Sequence, residues 1–282
     1  MSIAGGLYKA IERGDELDCE AIQIFTQSSR TWAMPETTDE EVRLFKAAMK
    51  HAKTVKRVVA HNSYLLNLST SQTAVRKKAV RYFIKAMERC EALGVESLIT
   101  HPGSHLGAGE EIGLRMTSES LKEVLAACPG FSTRILLENT AGQGDSVGCR
   151  FDQLANIIEG TGEPERIGCC FDTQHAFASG YDLRTPEAYE ATMAEWHRSL
   201  SIERIEAFHL NDAMKDIGCR VDRHQGIGKG FLGAEAFRPL MNDPRFEKVP
   251  MCLETAPGDE MANWRTELTL LRSLRHSKKR KN

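Results

Sequence analysis

Seven short runs dense in Ile, Val, Leu and Phe recur along the chain, at Ala21–Phe25, Arg57–His61, Ser97–His101, Arg134–Glu138, Ile167–Asp172, Ile205–His209 and Val249–Glu254. They are apolar throughout rather than alternating, which is the pattern of strands covered on both faces. Between them, apolar residues recur at helical spacing over about Asp39–His51, Gln72–Leu93, Thr117–Cys128, Phe151–Glu159, Pro186–Ser199 and Ala234–Met241, with a last helix near Asn263–Arg275. Strand then helix, repeated, predicts a parallel sheet with helices outside it, one unit short of a (β/α)8 TIM barrel. The short unit is the first, because Met1-Ser2-Ile3-Ala4-Gly5-Gly6-Leu7 reads as the loop and helix start that follow a strand. The expectation is therefore an α/β fold, a TIM barrel with its first strand missing from this chain. A strand of ordinary length, with its lead-in, would need about eight further residues ahead of Met1.

At 282 residues and 41% hydrophobic content the chain can bury a full core, and one barrel of this kind takes about 250 residues. One domain over residues 1–275 is expected, followed by a basic, disordered tail, HSKKRKN, at His276–Asn282. The sequence has neither an apolar stretch of about 18 residues nor a charged-then-apolar leader, so a membrane span and secretion are not expected. A cytoplasmic, monomeric protein is. Eight cysteines without a C-x-x-C pair read as reduced, mostly buried thiols. The formal charge of −2 rules out a uniformly basic nucleic-acid binder and leaves any attraction for phosphate to local groups or bound ions.

The chemistry sits where the apolar runs end. His61, His101, Glu138, Asp172, His209 and Glu254 close six of the runs, and His175, Asp222 and His224 follow in the next loops. Active sites of parallel barrels form at the C-terminal ends of the strands, so these nine side chains are expected to converge on one cup. A single His at such a position is more often an ordinary hydrogen-bonded residue than a ligand. Four carboxylates gathered in one cup without partners would be costly, however, and Asp172-x-x-His175 and Asp222-x-His224 each pair a carboxylate with an imidazole. Imidazole and carboxylate without thiolate suit zinc or manganese. Nine ligands exceed the roughly three protein groups of one open zinc site, so two or three metals are implied, an arrangement suited to phosphodiester hydrolysis.

Nine segments carry a family resemblance: AGGL (Ala4–Leu7), FTQSSRTW (Phe25–Trp32), HNSYLLNL (His61–Leu68), HPGSHLG (His101–Gly107), ENTAGQG (Glu138–Gly144), FDTQHAFASGYDLRTP (Phe171–Pro186), HLNDA (His209–Ala213), DRHQGIGKGFLG (Asp222–Gly233) and LET (Leu253–Thr255). In this order they resemble endonuclease IV, the zinc-dependent apurinic/apyrimidinic endonuclease. The resemblance implies three Zn2+ ions, with Mn2+ possible at one position, and hydrolysis 5′ to an abasic site that leaves a 3′-hydroxyl. It places His61 and His101 with bridging Glu138 on the first ion, Glu138, Asp172, His209 and Glu254 on the second, and His175, Asp222 and His224 on the third, with a hydroxide between the first two ions as nucleophile. It makes Glu138 the catalytic residue and double-stranded DNA with abasic or 3′-blocked sites the partner, in a nucleoid-associated setting.

The resemblance also assigns DNA-probing roles to Arg30, Tyr64 and Leu65, in which an apolar and aromatic wedge would replace lost base stacking where a base is absent. The plain alternative for Tyr64 and Leu65 is packing at the start of a loop. Arg220, Arg223, Lys215 and Lys229 are candidate phosphate contacts, although a solvated loop would look alike. His105 reads as a supporting residue beside the ligands, and His51, His197 and His276 as surface residues. The chain departs from the family pattern at its start and in APGDEMANW after Thr255, which puts the last loop's contacts in doubt. Two rival readings exist. A sugar isomerase or epimerase would need only one ion on Glu138, Asp172, His209 and Glu254, leaving the other five residues unexplained. A non-catalytic damage binder predicts a broken ligand position, and all nine are intact.

Overall fold

The computed structural model describes residues 1–276. Seven parallel strands form one sheet: β1 (Ala21–Ile24), β2 (Arg57–His61), β3 (Ser97–Thr100), β4 (Arg134–Glu138), β5 (Ile167–Asp172), β6 (Ile205–Leu210) and β9 (Met251–Leu253). Each is hydrogen-bonded in parallel to the next in that order, and the sheet curls into a nearly closed barrel of the expected class. Helices α1 (Tyr8–Glu16), α2 (Asp39–His51), α3 (Thr73–Leu93), α4 (Glu110–Ala127), α5 (Phe151–Gly160), α7 (Pro186–Ser199), α8 (Phe237–Met241) and α9 (Ala262–Leu274) surround it.

The large apolar core lies between strands and helices, where Phe83, Phe151, Phe171, Trp196 and Phe208 are fully buried. Inside the barrel a smaller cluster, Val59, Ile99, Leu136, Cys170, Ala207 and Cys252, fills the space with short side chains. All eight cysteines are free and six are buried, as expected of reduced thiols. No helix among the described residues is long and apolar enough to cross a membrane.

The predicted elements are present, with informative differences at their bounds. α4 begins at Glu110, seven residues before the expected Thr117; in that stretch Gly113 is the one buried residue, so it carries no apolar stripe for the period to register. The last strand is only Met251–Leu253, since Pro250 has no N–H to give; its carbonyl still accepts from Phe208 N at 2.9 Å. A short helix, α6 (Thr173–Ser179), and a two-residue hairpin, β7 (Asp212–Ala213) with β8 (His224–Gln225), were not legible as patterns. Between β1 and β9 a gap remains, lined by Leu17, Ile22, Cys252, Trp264 and Leu268 and enclosing about 50 Å³. Met1 occupies its mouth, its amino group donating to the Gln23 carbonyl. Of the expected tail, residues 277–282 lie outside the described residues.

Candidate metal centre

All nine residues meet at the C-terminal end of the barrel. His61, Glu138 and Asp172 are the last residues of β2, β4 and β5, His209 lies in β6 directly opposite Asp172, and His101 and Glu254 follow β3 and β9 by one residue. Parallel register thus converts six separate strand ends into one ring. His175 is delivered by α6, whose N-terminus Asp172 caps: its Oδ1 accepts from His175 N at 2.8 Å. Asp222 and His224 come from the far arm of the β7–β8 hairpin, and Gln143 Oε1 holds Asp222 by accepting from its N–H at 2.9 Å.

Glu138 is the hub. It is fully buried, and His61 Nε2 (3.0 Å), His101 Nε2 (3.2 Å), His175 Nδ1 (3.2 Å) and His209 Nδ1 (2.9 Å) surround its two oxygens. Burial works against its ionisation, yet the His209 and His101 imidazoles hold it well below the usual carboxylate range. Burial likewise works against an imidazolium at His209, and Cys170, Glu138 and Glu254 together outweigh it, raising that ring well above its ordinary value. Asp222 is lowered to about 2: burial works against its ionisation, and the His175 and His224 imidazoles beside it outweigh that.

Neighbouring carbonyls and amides choose the histidine tautomers. His61 Nδ1 donates to Asn62 O (2.7 Å) and His175 Nδ1 to Asn139 O (2.9 Å), leaving each Nε2 lone pair for the cup. His209 is turned the other way. Gln23 bonds two ligands at once: its Nε2 donates to Glu254 Oε1 and its Oε1 accepts from His209 Nε2, both at 2.7 Å. A carboxylate can only accept, so the carboxamide has one orientation that satisfies both partners. His209 Nδ1 then faces Glu138 and, at 3.1 Å, Glu254 Oε2. Asn211 donates to Asp172 Oδ2 (2.6 Å) and accepts from Glu254 N (3.1 Å), and Asn139 accepts from Asp172 N at 2.7 Å.

Three sets of ligand atoms lie within 4.8 Å of one another: His61, His101 and Glu138; Glu138, Asp172, His209 and Glu254; and Asp172, His175 and His224. The third set holds Asp172 where the resemblance puts Asp222, but Asp222 Oδ1 stands 3.4 Å from both His175 Nε2 and His224 Nε2. Those two nitrogens are buried and have no hydrogen-bond partner among the described residues. Two ligands about 2.0–2.1 Å from a tetrahedral zinc ion stand about 3.3–3.4 Å apart, so this pair and Asp222 fit one ion. The donor set and spacing suit metal binding.

Around the centre, Tyr64 is 61% exposed and Leu65 37%, although Tyr64 packs edge-on against Phe25 with ring centroids 5.4 Å apart. Ser63 Oγ donates to Ser29 O at 2.8 Å and so ties their loop to the one carrying the exposed Arg30. The Tyr64–Leu65 loop borders a cavity of about 330 Å³ that also touches His61, His101, Asp222 and Arg223. Lys215, Arg220, Arg223 and Lys229 are exposed on the loops either side of β8, Arg220 with φ +53°, a conformation L-residues seldom adopt. His105 stands apart from the three sets and serves the loop, its Nδ1 accepting from Gly109 N at 3.2 Å. Sequence reasoning missed Gln23, Asn139, Asn211 and Asp212. Asp212 is fully buried and accepts from the N–H groups of Ala213, Gly228, Gly230, Leu232 and Gly233, which folds the glycine-rich loop around it. Gln23 did carry a signal, a lone amide inside the apolar run AIQI.

The family model for xylose isomerase-like TIM barrels matches residues 11–274. "Probable endonuclease 4" of Chloroflexus aggregans is 46% identical over 274 residues, covering 97% of this chain and 96% of that protein. The crystal structure of endonuclease IV from Thermus thermophilus superposes with a TM-score of 0.85 at 32% identity, over 97% of this chain and 96% of the other. A D-tagatose 3-epimerase-like protein superposes with a TM-score of 0.71 at 18% identity and shares the fold alone.

Proposed function

The chain belongs to the endonuclease IV family within the xylose isomerase-like TIM barrels, and from that premise we propose that it hydrolyses duplex DNA on the 5′ side of abasic sites, leaving a 3′-hydroxyl, at a centre of three zinc ions. His61, His101 and Glu138 would hold the first ion, Glu138, Asp172, His209 and Glu254 the second, and His175, Asp222 and His224 the third. The ions would supply a water made nucleophilic near neutral pH and positive charge for the phosphate oxygens. The observation that carries this reading is the pair of buried, partnerless imidazole nitrogens of His175 and His224. A single-ion epimerase needs only the set around Glu138, Asp172, His209 and Glu254, and would bury those two rings for nothing.

The chain's own residues do the remaining work. Glu138, itself fully buried, balances four imidazoles and keeps them oriented. Tyr64, Leu65 and Arg30 form a wedge on one rim, placed to enter a duplex where stacking is already lost. Arg220, Arg223, Lys215 and Lys229, exposed on the loops around β8, would serve as phosphate contacts. The test pairs metal analysis with cleavage of one duplex carrying a single abasic analogue. Three divalent ions per chain and a single cut 5′ to the analogue are expected, and one ion in fully active protein refutes the three-ion centre. Glu138→Gln should lower turnover by several orders of magnitude while DNA binding holds; turnover within about tenfold of the parent, about 1.4 kcal/mol, excludes its central role.

A further inference from the structure

The charge on α3 is arranged against the helix. Between Thr73 and Met87 it carries Arg76, Lys77, Lys78, Arg81 and Lys85 and no acidic residue, while its acids, Glu88 and Glu91, come towards the C-terminal end. A helix N-terminus is the positive end of the macrodipole and favours carboxylates. Here the first turn has none, and Gln72 at the N-cap makes no side-chain cap. Lys77, Arg81 and Lys85 also follow one another at i, i+4 spacing, where like charges repel. Among the described residues none of the three has a carboxylate within ion-pair distance, and all are exposed. In a chain whose formal charge is −2, such a run is a local conflict, and conflicts of this kind gather at functional surfaces.

Its position gives the run a direction. α3 leaves the loop of Tyr64 and Leu65 and packs beneath that of Arg30: Lys78 Nζ lies 4.1 Å from the Trp32 ring centroid, and Trp32 meets Tyr82 edge-on at 5.4 Å. Lys77 and Arg81 line a shallow groove between α3 and α4 with Ala74, Val80, Ile84 and Ala126. The one carboxylate beside it, Glu123, is taken up by Arg76 at 2.6 Å. From Lys77 to Lys85 the cations descend the flank in steps of about 6 Å.

We propose that the α3 flank is a second contact surface for duplex DNA, on which Lys77, Arg81 and Lys85 bind backbone phosphates of the arm that runs outward from the Tyr64–Leu65 wedge. The contact is sequence-independent, charge meeting charge, and lengthens the footprint beyond the cup. It rests on the nuclease reading above, and the experiment separates the two.

Intact metal-loaded protein and its Lys77→Gln/Arg81→Gln/Lys85→Gln variant are titrated over a range of salt with duplexes bearing a non-hydrolysable abasic linkage, one helical turn long (about 10 base pairs) or three (about 30). On the long duplex the variant should lose about 0.9 in log–log salt slope for each phosphate released, up to about 2.7, and about 8-fold in affinity per contact near 0.1 M salt. On the short duplex the two proteins should bind alike. The variant's melting temperature should be unchanged or higher, because the substitutions relieve repulsion. Equal slopes on the long duplex overturn the proposal, whatever the cleavage activity. So does a loss confined to retention on immobilised polyglutamate, which would assign the flank to an acidic protein. Absence of abasic cleavage by the parent would count against the nuclease reading alone.

Discussion

Gln23→Leu tests whether one uncharged side chain outside the ligand set governs the set itself. The substitution removes both 2.7 Å hydrogen bonds at once. His209 is fully buried, so its Nε2–H would be left unsatisfied, at about 1–3 kcal/mol, and the ring would no longer be held with Nδ1 towards the cup. Glu254 would lose the donor that fixes Oε1 and leaves Oε2 facing His209. Removing an outer partner of a metal ligand typically weakens binding about 10- to 100-fold, or about 1.4–2.7 kcal/mol. The assay is competition between metal-free protein and a chromophoric chelator for a divalent ion, with a thermal melt of the metal-free variant beside it. In the proposed three-ion centre, one ion should weaken by that factor while the others hold. Gln23→Glu sharpens the result, since it can still accept from His209 but places a second carboxylate against Glu254, and it should bind no better than Gln23→Leu. Affinity within about threefold of the parent in both variants would refute the reasoning.

Two other substitutions address separate links. Tyr64→Ala with Leu65→Ala removes the wedge and touches no ligand, so metal content should hold while preference for abasic over intact duplex falls about five- to a hundred-fold, from about 1–3 kcal/mol per stacking contact; an unchanged ratio returns both residues to ordinary loop packing. Asp15 on α1 accepts from Lys53 N (2.8 Å), Thr54 N (2.9 Å) and Val55 N (3.0 Å); desolvation works against its ionisation, yet these bonds hold its carboxyl below the usual range. A depressed carboxyl stabilises the fold above its unfolded value of about 3.9, and that stability is lost as pH falls through the folded value. Asp15→Asn should therefore lower the melting temperature by about 4–8 °C near neutrality, about 2 kcal/mol, with the gap to the parent closing below about pH 4. A gap that stays constant down to about pH 3 would refute it.

What the sequence made legible were features that repeat or terminate. β2, β4 and β5 coincide with their predicted spans because each is an unbroken apolar run closed by an ionisable residue, and that same ending named the candidate ligands. The residues that tune the ligands leave no such mark. Asn139 and Asn211 act across strands, between positions 33 and 43 residues apart in the chain, and matter only once register brings them together. Only the first seven residues of α4 escaped the pattern, since before Thr117 the helix buries Gly113 alone. The fold of the glycine-rich loop after β8 hid because a buried carboxylate, Asp212, organises it through backbone N–H groups that no side-chain pattern records.

Asp172 belongs to two structures at once. Its Oδ1 starts α6, and its Oδ2 lies among the metal-binding groups, received there by Asn211. The far end of α6 in turn accepts from the loop that carries Arg220 and Asp222, through Phe177 O to Gly218 N (3.1 Å) and Ala178 O to Arg220 N (2.9 Å). One carboxylate thus anchors a short rigid linkage from the floor of the cup to its rim. An alanine at 172 would uncap the helix, at about 1 kcal/mol, as well as delete a ligand, so lost activity there would confound two causes. Asparagine caps as well as aspartate does, and only with it can the chemical duty of this side chain be told apart from its mechanical one.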